Sequence, residues 1–408
     1  MLSTYETLIA TSLLTGLYVL LVQYFRFQRC DRIQSQFMPA GRPLSSMSVK
    51  EAHEIMRQLR ELEFPYIMRS STRMTTLKTA SIPTVADLFV ATGQRNEKNN
   101  TKRGADTEVL MNEIHDRQVG SDAHLMGYAR LNYIHSGYRK AGKILDEDML
   151  HTLGSAVLDV FQSINRYEWR QLTNTEKCAI GIFYRTMGEA MEIPFERLPS
   201  SKIGWVDGVH FAQELCDFTM EYQTLTAKPT KSTLLISGRL MSLETTNYPS
   251  ILKSIAERVV ATRLDEHIRV SMGFQKPGFV LSSMVTSFVA MRKFFLRYLS
   301  LPRPDFMAVR VLEAAPDPST GRYTTTQWLD NPWYVKPTLA NRWGLKALSV
   351  RLFGTGKVPT KNGSFRDEGY DMKTIGPERM RNKGQAEAEA TFIDLKKRDI
   401  PSGCPFHS

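Results

Sequence analysis

The chain has 408 residues, of which 42% are apolar and 23% charged, with a formal net charge of +11. That length can bury a sizeable core in one large domain or two smaller ones, and the composition excludes a disordered chain. The positive balance suits an anionic membrane surface. No zinc-finger spacing, aromatic-studded basic strand or dense basic helix is present, so nucleic acid is not an expected partner.

The segment "LIATSLLTGLYVLLVQYF", residues 8–25, has no charge and is long enough to cross a bilayer as a helix. No Lys or Arg precedes it, whereas Arg26, Arg29 and Arg32 follow directly. A secretory signal peptide would show a basic start and a small-residue cleavage site, and neither is clear. The positive-inside tendency therefore predicts a single-pass anchor with a short lumenal N-terminus and a cytosolic body. Four cysteines (Cys30, Cys178, Cys216 and Cys404) form no CxxC pair, which fits a reducing compartment. Three parts are expected: residues 1–32 as anchor and basic flank, 33–311 as a helical globular domain, and 312–408 as a C-terminal extension.

After a Pro/Ser-rich joint at 39–47 the pattern is helical. "SVKE", Ser48 to Glu51, has capping-box spacing, and the helix that it opens stops at Pro65. "TNTE", Thr173 to Glu176, is a second capping box, ahead of a helix that ends before Pro194. Residues 249–272 and 279–300 read as two further helices. Period-two alternation is scarce, so the predicted fold is mainly α. Beyond about residue 312 the chain is rich in Pro, Gly, Trp and Lys. That mixture suits either packing on the domain or a membrane interface. "NNT", from Asn99, and "NGS", from Asn362, are glycosylation acceptors that a cytosolic body leaves unused.

Phosphate-binding, nucleophile-elbow, HExxH and kinase motifs are all missing. None of the eight histidines forms an i, i+4 pair. His135, in "ARLNYIHSGYRKAGKI", shares a helix face with Tyr128, Leu131, Tyr138 and Arg139, and Gly137 thins the surface beside it. Such a face suits a flat macrocycle, with the imidazole on its iron and Arg139 near a propionate. It equally suits a core histidine satisfied by hydrogen bonds and a solvated arginine. Upstream, "TKRGADTEVL" places Arg103, Asp106 and Thr107 within a turn and a half; on spacing alone this is a polar helix start.

Several blocks in order carry a family resemblance: "ELEFPYIMRSS", "SIPTVADLFVATGQ", "ARLNYIHSGYRKAGKILDEDMLHTL", "CAIGIFYRTMGEAMEI", "MRKFFLRYLSLPRP", "NPWYVKPTLANRWG" and the closing "GCPF". From about residue 50 onward the chain resembles the fungal ER-bound MpaB-type oxygenases of mycophenolic acid biosynthesis. More distantly it is similar to the catalytic domain of rubber oxygenases (latex-clearing proteins), a mostly helical fold that binds haem b. The resemblance implies an oxidoreductase at the endoplasmic reticulum membrane, with residues 33–311 as the catalytic domain. It implies dioxygen-dependent cleavage of a C=C bond in a prenylated, terpenoid or meroterpenoid small molecule of secondary metabolism, with the cofactor haem b and an unspecified cytosolic electron donor. His135 falls where that family has its iron ligand, although Arg130 precedes it by one residue more than in the rubber oxygenases. Arg139 is then the propionate partner. Arg103 and Thr107 match distal residues, and Asp106 stands where the rubber oxygenases carry lysine. The implied roles are stabilisation of bound oxygen for Arg103 and an allylic base for Asp106, with Ile134, Tyr138 and Phe183 lining a pocket for the prenyl tail. Two alternatives are a non-catalytic isoprenoid-binding protein and a mononuclear metal held by His135 and carboxylates.

Overall fold

The structure, a computed structural model, describes residues 4–328, 331–354, 356–361, 363–398 and 406. Cys404, His407, Asn362 and all but Phe406 of the closing "GCPF" lie outside the described residues. The uncharged N-terminal segment forms helix α1 (Thr4–Arg26), in which only Val22 and Arg26 are buried. Most of the remainder is exposed, as an anchor requires. Helix α2 (Gln28–Phe37) follows, and Arg29 ties this junction to the body through Glu63 at 3.0 Å.

Both predicted capping boxes open helices. Ser48 Oγ accepts the Glu51 N–H and Glu51 accepts the Ser48 N–H at the start of α3 (Val49–Gln58). Through a π turn over Leu59–Glu63, α3 passes into α4 (Pro65–Thr79), with Pro65 at the first helical position, where its missing N–H costs nothing. Next come α5 (Pro83–Thr92), α6 (Asn100–Asp116), α7 (Asp122–Lys140) and α8 (Asp146–Tyr167). Thr173 and Glu176 form the second box ahead of α9 (Asn174–Ala190). Helices α10 (Gly208–Thr226), α11 (Lys231–Glu244), α12 (Ser250–Ala261), α13 (Glu266–Ser271) and α14 (Phe279–Tyr298) follow, then α15 (Leu339–Trp343), α16 (Leu345–Phe353) and α17 (Gln385–Lys397). Among the described residues no strand forms, and three isolated bridges lie between residues 312 and 370. The fold is mainly α, as expected. The helix expected over 249–272 breaks between α12 and α13. The break brings Ile268 and Met272 into a satellite core with Leu77 and Ile236, and lets Arg263 reach Asp159.

At the centre, α8, α9 and α10 meet backbone to backbone. A Cβ on Gly181 would lie 1.8 Å from the Gly208 carbonyl oxygen, and one on Gly154 would lie 1.9 Å from Thr219 Oγ1. Backbone cannot give way as a side-chain tip does. Gly181→Ala is therefore expected to destabilise the protein by about 2–3 kcal/mol, read as a lower urea midpoint. A Lys78–Asp159 ion pair at 2.7 Å, with both side chains 2% exposed, joins α4 to α8. Losing one partner alone would strand a buried charge.

The stretch after residue 312 packs on the domain. Arg130 is wholly buried, and its guanidinium donates to the carbonyls of Ile375, Met380 and Lys383 at 2.8–2.9 Å. Leu312, Tyr334, Tyr370, Ile375 and Leu395 belong to the same core as α3 and α7–α10, so no seam in the core marks residue 312. Trp343, Leu345 and Leu352 nevertheless stay exposed on its surface.

Candidate active site

Helix α7 turns back on α6 through residues 117–121, and Ser121 caps it by accepting the His124 N–H at 3.4 Å. Near the far end of α7, His135 is partly buried, with Nδ1 shut off from solvent and no hydrogen-bond partner. Burial, followed by the positive charges of Arg103 and Arg139, pushes its pKa down to about 4. The ring is therefore neutral near pH 7, with a lone pair free to bind a metal. The bland reading from sequence, a histidine satisfied by hydrogen bonds, does not describe this side chain. No Cβ clash is met at Gly137, where the helix faces open space.

Helix α6 supplies the second half of the site. Arg103 Nη1 donates to the Thr107 hydroxyl, which itself donates to the Arg103 carbonyl at 2.8 Å. Arg139, the other cation near His135, donates to the carbonyls of Glu192 at 2.9 Å and Met191 at 3.3 Å and to Asp146 at 3.2 Å. It closes the C-terminal end of α9, where unpaired carbonyls attract cations. A propionate at Arg139 would share it with these acceptors.

Asp106 has a different occupation. It is 1% exposed; one oxygen accepts from Lys102 Nζ and the other from Tyr334 Oη, both at 2.7 Å. Lys102 continues to the Gly376 carbonyl at 3.0 Å. Burial raises the Asp106 pKa, against the pull of Lys102 and Tyr334. A base needs a free oxygen within reach of its proton donor. Both Asp106 oxygens already hold a partner, and through them the residue joins α6 to the C-terminal segment.

An open cleft with a cavity volume of about 100 Å³ lies between α4, α6, α11 and residues 325–328 and 331–333. Thr107 reaches it, as do Arg69, Arg73, Arg95, Glu108 and Glu244, none of which sequence spacing singled out. The expected pocket residues are elsewhere. Phe183 is wholly buried with ring centroids 4.7 Å from His53 and 5.0 Å from His115, and Ile134 packs against Gly376. Tyr138 pairs with Arg379. Large side chains at helical spacing were core here, not lining.

Around Phe183 three histidines from α3, α6 and α7 converge: His53, His115 and His124. The His53 and His124 rings are 5.4 Å apart, and His115 Nδ1 lies 2.6 Å from the Met111 carbonyl. Burial pushes His115 down to about 3 and His124 to about 4, and holds His53 well below the ordinary value. Among the described residues no three His, Cys, Asp or Glu side chains come together to hold a metal ion. A porphyrin iron needs a single protein donor, and the unpaired His135 Nδ1 is one imidazole nitrogen available to such a group.

No protein-family model matches the chain. Over nearly its whole length it is similar to proteins named ER-bound oxygenases. Identity is 33% over 393 residues with ER-bound oxygenase mpaB' of Penicillium brevicompactum, covering 96% of this chain and 92% of the relative. It is 31% over 359 residues with ER-bound oxygenase mpaB of the same organism, covering 87% and 85%. With ER-bound oxygenase mpaB of Penicillium roqueforti (strain FM164) it is 30% over 257 residues, covering 62% and 86%. A helical oxygenase, and hence an oxidoreductase, is the class that these relatives and the fold define. The chain belongs to the MpaB family.

Proposed function

We propose that this oxygenase cleaves a C=C bond in the isoprenoid tail of a prenylated small molecule at the endoplasmic reticulum membrane, using dioxygen and haem b. The observation that carries the cofactor assignment is the neutral, partly buried imidazole of His135, which makes no hydrogen bond and lies near two arginines. Haem held by His135 would supply the activation of dioxygen. Arg103, held by Thr107, sets a fixed positive charge near the site and would stabilise negative charge that develops there. Thr107 also lines the cleft, so one turn of α6 links the histidine side to it.

Membrane attachment supports the substrate class, since a prenylated molecule partitions into the bilayer. Beside α1 lies α14, also apolar enough to span, with Phe279 87% and Phe288 61% exposed. Tyr18 of α1 donates to the Leu299 carbonyl at 2.9 Å, and Arg292 fastens α14 to the Tyr167 carbonyl at 2.7 Å. Phe274 packs in the satellite core, so residues 275–278 span at most about 14 Å before α14 begins. A 20-residue helix is about 30 Å long. Held near the body at both ends, α14 favours lying along the body's surface over crossing. That supports reading the protein as single-pass with a cytosolic body, in which Asn99 is left unglycosylated.

Incubating microsomes containing the protein with a farnesylated phenol under ¹⁸O₂ tests the reading. The expected product is a shortened chain ending in a labelled carbonyl. Hydroxylation without chain shortening would overturn C=C cleavage.

A further inference from the structure

The cleft carries a feature that cleavage of a neutral prenyl chain does not use. Arg95, in the loop after α5, is 2% exposed and lines it. Its one hydrogen bond goes to a neutral group, Asn100 Oδ1 at 3.3 Å, and its Nε is buried without a partner. Among the described residues no carboxylate lies within ion-pair distance of it. The nearest charge is another cation, Arg103, and burial with that neighbour lowers the Arg95 pKa to about 9. Burying a guanidinium without a counter-ion is strongly unfavourable, and proteins tolerate it where a ligand supplies the charge.

Two more unpaired polar groups belong to residues of the same cleft: Trp328 Nε1 and Thr325 Oγ1 are buried without hydrogen bonds. Arg69 Nη1 and Arg73 Nε are instead ion-paired, with Asp116 and Glu244, each at 3.5 Å. Two acids also line the cleft: Glu244 lies 3.5 Å from Arg73, and Glu108 acts on Arg69 and Glu244. Neither acts on Arg95. Gly104 keeps the floor low, since a Cβ there would sit 3.9 Å from Arg95 Nη1.

We propose that this cleft binds an oxyanion, a carboxylate or phosphate borne by an otherwise apolar molecule, with Arg95 as its counter-ion. A bidentate guanidinium–oxyanion pair in a water-poor site gives both affinity and orientation. The oxyanion belongs either to the small-molecule substrate or to a cofactor propionate. The site stands whether or not the C=C reading does, because it concerns binding alone.

The test is binding to the full-length protein in detergent, followed by calorimetry and thermal unfolding, with farnesoic acid, its neutral counterpart farnesol, and inorganic phosphate as probes. Farnesoic acid is expected to bind at least about tenfold more tightly than farnesol, a difference of about 1.4 kcal/mol. Phosphate is expected to compete with the acid and not with the alcohol. Arg95→Met should reduce the acid to the affinity of the alcohol while raising the melting temperature of the ligand-free protein, because it removes an unpaired buried charge. Equal binding of acid and alcohol by the unmutated protein, both before and after haem extraction, would overturn the proposal without any variant. So would a preference that survives Arg95→Met, or an Arg95→Met protein that melts lower than its parent. Haem content separates the two sources. A preference present with haem bound assigns the oxyanion to the substrate. One that appears only after haem extraction, with faster haem loss from Arg95→Met, assigns it to the propionate. None of these readings depends on turnover, so a failed cleavage assay leaves them intact.

Discussion

His135→Ala is expected to abolish the Soret band and the bound iron of the purified protein and to lower turnover by more than about 100-fold, the loss that even second-shell changes at metal sites can cause. The same substitution is expected to leave stability within about 1 kcal/mol. Deleting a hydrogen-bonded buried histidine strands its partner, but His135 Nδ1 has no partner to strand. This pairing of a large functional effect with a small structural one separates a ligand from a core residue. Of the buried histidines, His115 offers the contrast: it sits between the Met111 carbonyl and the Tyr184 hydroxyl at 3.3 Å, so its loss should cost stability and spare the spectrum. A ferrous dioxygen spectrum that survives His135→Ala unchanged would end the ligand assignment.

What the sequence revealed and what it hid follow from the range of each interaction. The anchor and both capping boxes are written in contiguous residues, and Ser48–Glu51 and Thr173–Glu176 make the predicted reciprocal bonds. The ordered blocks also place the family. The cleft is different, because Arg69, Arg95, Thr107, Glu244 and Trp328 come from three helices and two loops spread over more than half the chain. No periodicity joins them. Asp106 shows a subtler limit. Its position in the motif is legible, but its partner Tyr334 lies 228 residues away, so its use as a structural hub is not. Arg130 stood out only by closeness to His135; its actual task is to hold three carbonyls around 375–383, an assignment available only from the tertiary contacts.

The buried histidines lead to the other large effect: steep loss of stability on mild acidification. His53, His115, His124 and His151 are each at most 7% exposed. Burial lowers all four, His115 to about 3 and both His124 and His151 to about 4. In the unfolded chain each would titrate near the ordinary value of about 6.5. Between about pH 6.5 and 4 the unfolded state thus holds more protons than the folded one. Stability is full above that window and falls as the pH drops through it. At pH 5 His115, His124 and His151 each cost about 2 kcal/mol relative to neutrality, about 6 kcal/mol together, and His53 acts in the same direction. Buried acids act the other way. Asp106, Asp148, Glu168 and Glu244 have raised pKa values, so the folded state gains protons sooner than the unfolded chain. Their compensation starts from carboxylate values of about 4 and reaches into the window only as far as each shift extends. Because a domain is stable by only about 5–15 kcal/mol, the urea midpoint should collapse between about pH 6 and 5. His53→Met should flatten that slope by about 1.4 kcal/mol per pH unit, since it removes one proton-binding difference. His53 Nε2 has no partner to leave behind. A midpoint that stays flat from pH 7 to 5 would mean that these imidazoles gain charge in place, and with it that the core around Phe183 is wet rather than dry.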